Sequence, residues 1–264
     1  MQIDSGTRAI VSGATRGIGR ATARALAERG ARVGLIARDE QALAELRNED
    51  IFGNAVPLPA DVGDRAALGE AVSHFLGKEG GVELVVANAG MTHTAPFADL
   101  EPERAEEIVN VNLIGTLNLI HGVLPAMLDR GRGHLVVVSS GAALRAFPSA
   151  AVYGATKAAQ KAFAEALRHE LSGTGVSVTT DYPGEVKTSL HAHELERMPD
   201  WYRPADAIPP EVVAEAIVHA VLEDRREVHV PAQVRLLGLN DIAPGLVDRL
   251  LTLIRGGAAA PRRY

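Results

Sequence analysis

Tyr153 and Lys157 lie four residues apart in Ala151-Val-Tyr-Gly-Ala-Thr-Lys157. On a helix that spacing puts both side chains on one face. An ammonium beside a phenol stabilises the phenolate and lowers the tyrosine pKa from about 10 toward the working range of an acid/base catalyst. Upstream, Ser139 and Ser140 close an apolar run of strand length. Alternation along a strand sends their hydroxyls to opposite sides, so only one can face a site beside the phenol. Tyr/Lys pairs at this spacing are common on solvated helix faces, so the pair gains its meaning from its company.

That company is a glycine-rich turn. Ser12-Gly-Ala-Thr-Arg-Gly-Ile-Gly19 follows a strand-like run, Arg8 to Ser12, and opens an amphipathic helix from about Ile18 to Arg29. Glycines 13, 17 and 19 allow a tight turn and a close backbone approach to a pyrophosphate on the helix N-terminus.

The elements that must position these residues alternate. Strand-like runs are expected at Arg8–Ser12, Arg32–Ala37, 55–60, 83–87, 134–139, 176–180 and Glu227–Val230. Each is a near-continuous apolar or β-branched run, as expected where both faces are covered. Helical stretches separate them, beginning at Asp39 and at Glu101-Pro-Glu103, and spanning 149–171 and Pro210–Leu222. This alternation predicts an α/β fold with a doubly wound parallel sheet between two helical layers, in one domain spanning 1–264. Two segments break the rhythm. An irregular insertion at about 190–210 carries His191, His193, Trp201 and several prolines; an apolar helix is expected at about 236–255. That helix fits a membrane surface, or packing on its own fold or on a partner chain.

Composition narrows the classes. The chain has 264 residues, net charge -6 with the two signs interspersed, and no cysteine. This excludes an electrostatic footprint for nucleic acid, and with it disulfides and thiolate metal sites. No metal-ligand spacing is found; His191 and His193 lack a carboxylate or cysteine partner. No signal-peptide pattern and no apolar run of spanning length are read, so a cytoplasmic location is expected.

Gly-x-x-x-Gly-x-Gly, Asn88-Ala-Gly90, Ser140 and Tyr153-x-x-x-Lys157, in that order, resemble the short-chain dehydrogenase/reductase family over about Thr7 to Thr188. Ser12 stands where threonine is usual, and Ala87 where an asparagine is usual. The resemblance implies a Rossmann-like fold and an oxidoreductase. It selects Ser140 over Ser139 to bind the substrate oxygen, makes Tyr153 the acid/base, and gives Lys157 the nicotinamide ribose. It also makes Asn112 the residue that orients a relay water. The dinucleotide is expected to contact Gly13, Thr15, Arg16, Gly17, Ile18 and Gly19, then Asn88, Ala89 and Gly90. Asp61 and Val62 are expected to flank the adenine. Pro183, Gly184, Val186 and Thr188 are expected beside the nicotinamide.

Cofactor choice turns on the end of the second strand. An NAD site wants an acidic side chain there, whereas this chain has Ala37 and Arg38. A guanidinium suits a 2'-phosphate, and Arg16 adds a second cation, so NADP(H) is expected over NAD(H). Asp39 is read as the N-cap of the next helix. The expected reaction interconverts a ketone or aldehyde and an alcohol. Met91, Phe147, Leu190 and Trp201 suggest a moderately apolar small-molecule substrate, with His93, Arg145 and Asp181 as further candidates for the cleft. A 3-oxoacyl-thioester reductase and an NADP-sensing scaffold without turnover are the alternatives. Family habit implies a homodimer or homotetramer through helices at about 102–128 and 151–171.

Overall fold

Valine, isoleucine and leucine runs too short for helices become the strands of one sheet in the computed structural model. The structure describes residues 1–188, 207–241 and 243–245. The strands are β1 (Arg8–Ser12), β2 (Arg32–Ala37), β3 (Val56–Pro59), β4 (Leu84–Ala87), β5 (Gly133–Val138), β6 (Val176–Pro183) and β7 (Glu227–Val230). All pair in parallel, in the order β3-β2-β1-β4-β5-β6-β7. The order reverses between β1 and β4, and such sheets present ligand sites at the carboxyl ends there.

Helices cover both faces. The first face carries α1 (Gly17–Glu28), α2 (Glu40–Arg47) and α7 (Pro210–Leu222); the second carries α3 (Arg65–Glu79), α5 (Gly115–Arg130) and α6 (Ala151–Glu170). Strand alternation divides the core accordingly. Ala9, Val11, Leu84, Val86, Val136 and Val138 join the first cluster, and Ile10, Val85, Leu135 and Val137 the second. Each fully buried valine or leucine contributes about 1.5–3 kcal/mol, so the two clusters fix the register of every strand and the position of its carboxyl end.

Several elements differ from the sequence expectation. β6 runs on through Asp181 and Tyr182 to Pro183, because β7 continues the pairing to Pro183↔Val230. The helix begun by α4 (Pro102–Val109) continues through a π-helical turn, Asn110–Ile114, into α5. Contrary to the expectation of no apolar run of spanning length, Pro102–Arg130 holds an 18-residue window apolar enough to cross a membrane. Its Leu119, Ile120, Val123 and Met127 are buried in the second core, so this is a core helix. The described start of the C-terminal apolar segment is a 3-10 helix, Ala232–Asp241; most of the helix expected at about 236–255 lies outside the described residues. There Val234 and Leu237 pack on Leu144 and Tyr182, on the protein's own fold. The insertion between 189 and 206 and the C-terminal segment from 246 onward lie outside the described residues, and with them Leu190, His191, His193 and Trp201.

Candidate active site

The turn after β1 is built to bring backbone against backbone. Gly13 and Gly17 take φ of +67° and +55°, which glycine adopts without strain. A Cβ on Gly19 would lie 2.2 Å from the Gly13 carbonyl oxygen, and one on Gly13 would lie 2.9 Å from Asn88 Nδ2. Ser12 ties β1 to β4 across the switch point. Its Oγ accepts from the Asn88 and Ala89 amides at 3.0 Å each, while Asn88 Nδ2 donates to the Ser12 carbonyl at 2.9 Å. A hydroxyl is what this junction requires, which explains why serine can stand where threonine is usual.

Over these carboxyl ends lies a cavity of about 960 Å³. Gly13, Thr15, Arg16, Gly17 and Ile18 line one end, where the first amides of α1 meet the space. Such a helix start carries positive partial charge and favours an anion. Arg38, Asp61 and Val62 line the same end. Arg38 pairs with Asp61 at 3.6 Å; both are well exposed, so the pair contributes at most about 1 kcal/mol and yields readily to another anion. Asp39 caps α2 by accepting from the Ala42 amide at 2.9 Å, as its sequence position suggests. The cradle of close-packed glycines, helix amides and arginines therefore fits a dinucleotide phosphate.

The other end gathers Asn88, Ala89, Gly90, Ser140, Tyr153 and Lys157 with Pro183, Gly184, Val186 and Thr188. β5 delivers the two serines to different partners. Ser139 Oγ donates to the Lys157 carbonyl at 2.9 Å, anchoring α6, whereas the Ser140 hydroxyl bonds the Tyr153 phenol and accepts from the Ala142 amide at 3.1 Å. Lys157 is buried; its Nζ donates to the Val138 carbonyl at 3.0 Å and lies 5.7 Å from the centre of the Tyr153 ring. Burial pulls the Lys157 pKa down to about 8, against an opposing pull from Asp181. Burial likewise holds the Tyr153 phenol above its ordinary value, and the Ser140 bond offsets only part of that. The sequence-based expectation was a phenol lowered by the ammonium; here Lys157 points at a carbonyl, and desolvation outweighs it.

Gly19 and Asn112 do not line the cavity. Asn112 is fully engaged by protein. Its side chain accepts from the Met91 amide at 2.8 Å and donates to the Met91 carbonyl and the Thr156 hydroxyl at 3.0 Å each. Its own carbonyl accepts from Gln160 at 2.7 Å and from Thr116 at 2.8 Å. In this structure Asn112 locks the π-helical turn to α6 and to the loop after β4. Among the substrate-side candidates Phe147 lines the cavity, while Met91, His93 and Arg145 do not. Asp181 lies in the sheet, fully buried, and not in the cleft. Thr92, Thr94, Pro148 and Leu237 also line the cavity. Of these, Leu237 had a signal in the sequence, the apolar periodicity after Leu236, but nothing in it pointed to the cavity.

A parallel sheet with a phosphate-binding turn at its switch point and a Ser-Tyr-Lys group beyond it defines a nicotinamide-dependent oxidoreductase. Residues 7–199 match the family described as short chain dehydrogenase. An uncharacterized oxidoreductase of Myxococcus xanthus is 41% identical over 217 residues, covering 81% of this chain and 85% of that protein. A short chain dehydrogenase/reductase from Burkholderia phymatum, solved in complex with NAD, superposes with a TM-score of 0.84 at 25% identity, covering 94% of this chain and 96% of that one. One from Burkholderia cenocepacia, in complex with NADP, gives 0.78 at 29% identity, covering 98% and 100%. The chain belongs to the short-chain dehydrogenase family, and is an oxidoreductase that uses a nicotinamide cofactor.

Proposed function

We propose that the protein is an NADP(H)-dependent oxidoreductase that interconverts a ketone or aldehyde and the corresponding alcohol on a moderately apolar small molecule. The observation that carries this reading is the meeting of Ser140, Tyr153 and Lys157 in one cavity with the glycine turn. The nicotinamide, when bound, exchanges a hydride with the substrate carbon. In reduction, Tyr153 gives its proton to the carbonyl oxygen, and Ser140 hydrogen-bonds that same oxygen. Lys157 supplies positive charge beside the phenol and binds the nicotinamide ribose, which would turn its ammonium from the Val138 carbonyl toward the cavity. Its presence stabilises the phenolate left after proton transfer.

Preference for NADP(H) rests on Arg38 and Arg16, both on the cavity wall, and on the cap that keeps the Asp39 carboxylate engaged. A 2'-phosphate would draw Arg38 from Asp61 into a charge-assisted fork. Phe147, Pro148 and Leu237 at the mouth support an apolar substrate. We assign the protein to the cytoplasm as a homo-oligomer; exposed Val109, Ile114 and Leu128, along α4, the π-helical turn and α5, support association. Substituting Tyr153→Phe should lower kcat about 100- to 10,000-fold while NADPH still binds. Turnover at the wild-type rate would sink the mechanism, and loss of nucleotide affinity would mean that the phenol serves binding instead.

A further inference from the structure

Asp181 is fully buried near the carboxyl end of β6, and neither carboxyl oxygen has a hydrogen bond of good geometry, the Tyr182 amide being a misaligned neighbour. Its register neighbours are Val138 on β5 and Val228 on β7, both members of the core beneath α1 and α7. α7 adds Val213, Ala214, Ile217 and Val218 to that core, and α1 adds alanines and Leu26. A valine would suit such a place, whereas an ionised carboxylate without a partner is strongly disfavoured. Burial accordingly pushes the Asp181 carboxyl well above the usual range; the Lys157 ammonium and the neighbouring Tyr182 amide offset only part of this. Among the described residues, Lys157 on α6 is the one ionisable side chain whose charge bears on it.

The location gives this unpartnered acid a use. Val138, beside it, and Pro183, two residues on, both line the cavity at the end where Tyr153, Lys157 and the 183–188 stretch meet. A strand advances about 3.3 Å per residue, so Asp181 sits beneath this end of the cavity, about two residues of strand below Pro183. Under the proposed function, which this argument assumes, that end takes the nicotinamide ring.

We propose that Asp181 is a proton-linked counter-charge for the oxidised cofactor. Its carboxyl stays neutral while the reduced, uncharged ring is bound, and releases its proton to solvent when the positively charged ring binds. With the ring above the cavity floor, two unit charges about 10 Å apart at an effective dielectric near 20 attract strongly enough to lower the carboxyl's titration midpoint by about 1.2 pH units, roughly a 15-fold change in relative affinity. The preference for the oxidised cofactor then rises with pH across that window, because above it the carboxylate is already charged before binding.

Calorimetric titration of the protein with NADP+ and with NADPH, in two buffers of different ionisation enthalpy, counts the protons released on binding. The wild type should release more protons with NADP+ than Asp181→Asn does, by about half a proton at the pH where its carboxyl titrates, located by repeating the titration across pH. NADPH should bind both proteins alike. Asp181 also bears on the Lys157 pKa, so the proton count with NADPH, which engages Tyr153 and Lys157 without the ring charge, is subtracted from that with NADP+ in each protein. Should the asparagine variant fail to fold, Asp181→Val, matched to its valine neighbours, gives the same comparison. Equal proton release in wild type and variant would overturn the assignment of Asp181. Failure of the wild type to bind either nucleotide would instead overturn the cofactor reading itself.

Discussion

Replacing Lys157 with methionine should end activity yet leave the cofactor-free protein at least as stable at neutral pH. The side chain is 4% exposed, and burial lowers its pKa from 10.5 to about 8. The unfolded chain keeps the ordinary value, so between about pH 8 and 10.5 it binds more protons than the folded protein. Stability therefore rises with pH through that window, and below it the folded protein bears the full cost of a buried ammonium. At 1.36 kcal/mol per pH unit, that cost is about 3 kcal/mol. Methionine removes it, but leaves the Val138 carbonyl without its donor at 3.0 Å, which costs about 1–3 kcal/mol. A net gain on the order of 1 kcal/mol at pH 7 remains, or about 2–4 °C in Tm for a chain of this size. At pH 10.5 most of the gain is gone, and the variant should be the less stable of the two. Thermal unfolding of both proteins at pH 7 and at pH 10 reads the crossing directly. A stability difference independent of pH, or one that shifts in favour of the variant as pH rises, would refute the account of Lys157.

Two further substitutions separate the parts of the site. Gly19→Ala would force a methyl to within 2.2 Å of the Gly13 carbonyl; nucleotide affinity should fall more than about tenfold and stability by about 1–3 kcal/mol. Unchanged affinity in a fluorescence titration would remove the turn from the binding site. Arg38→Asp should weaken NADPH binding about tenfold or more, losing a charge-assisted fork, while NADH binding holds or improves. Equal losses for the two nucleotides would refute the 2'-phosphate role of Arg38.

Much of this architecture was legible because local signals and tertiary demands agree. Strand runs such as Leu84–Ala87 are apolar on both faces, and a parallel sheet needs that. Asp39 reads as a cap because an aspartate before a helical run has an amide to satisfy, and Ala42 supplies it. The two serines just beyond β5 take different partners on α6, the Lys157 carbonyl for Ser139 and the Tyr153 phenol for Ser140. Other features depend on contacts between distant parts of the chain. β6 reaches Pro183 only because β7 pairs with it, and no pattern within 176–183 announces the extension. Asn112 reads as a site residue from its motif, yet five hydrogen bonds to Met91, Thr156, Gln160 and Thr116 occupy it. Spacing of i, i+4 says that an ammonium is near Tyr153, not where it points, and in the cofactor-free protein Lys157 donates to the Val138 carbonyl. Asp181 was visible as an odd residue before a proline, but its burial among valines is a fact of the folded sheet alone.

The central claim is that this cavity binds NADPH and uses Tyr153 to reduce a carbonyl. The most direct test is to titrate the purified protein with NADPH and NADH, then follow nicotinamide absorbance with a panel of apolar ketones and aldehydes. Tighter binding of NADPH, with oxidation that depends on a carbonyl and is lost in Tyr153→Phe, is the predicted result. Binding of neither nucleotide, or tight binding without turnover on steroid, acyl-thioester and aromatic carbonyls alike, would contradict it.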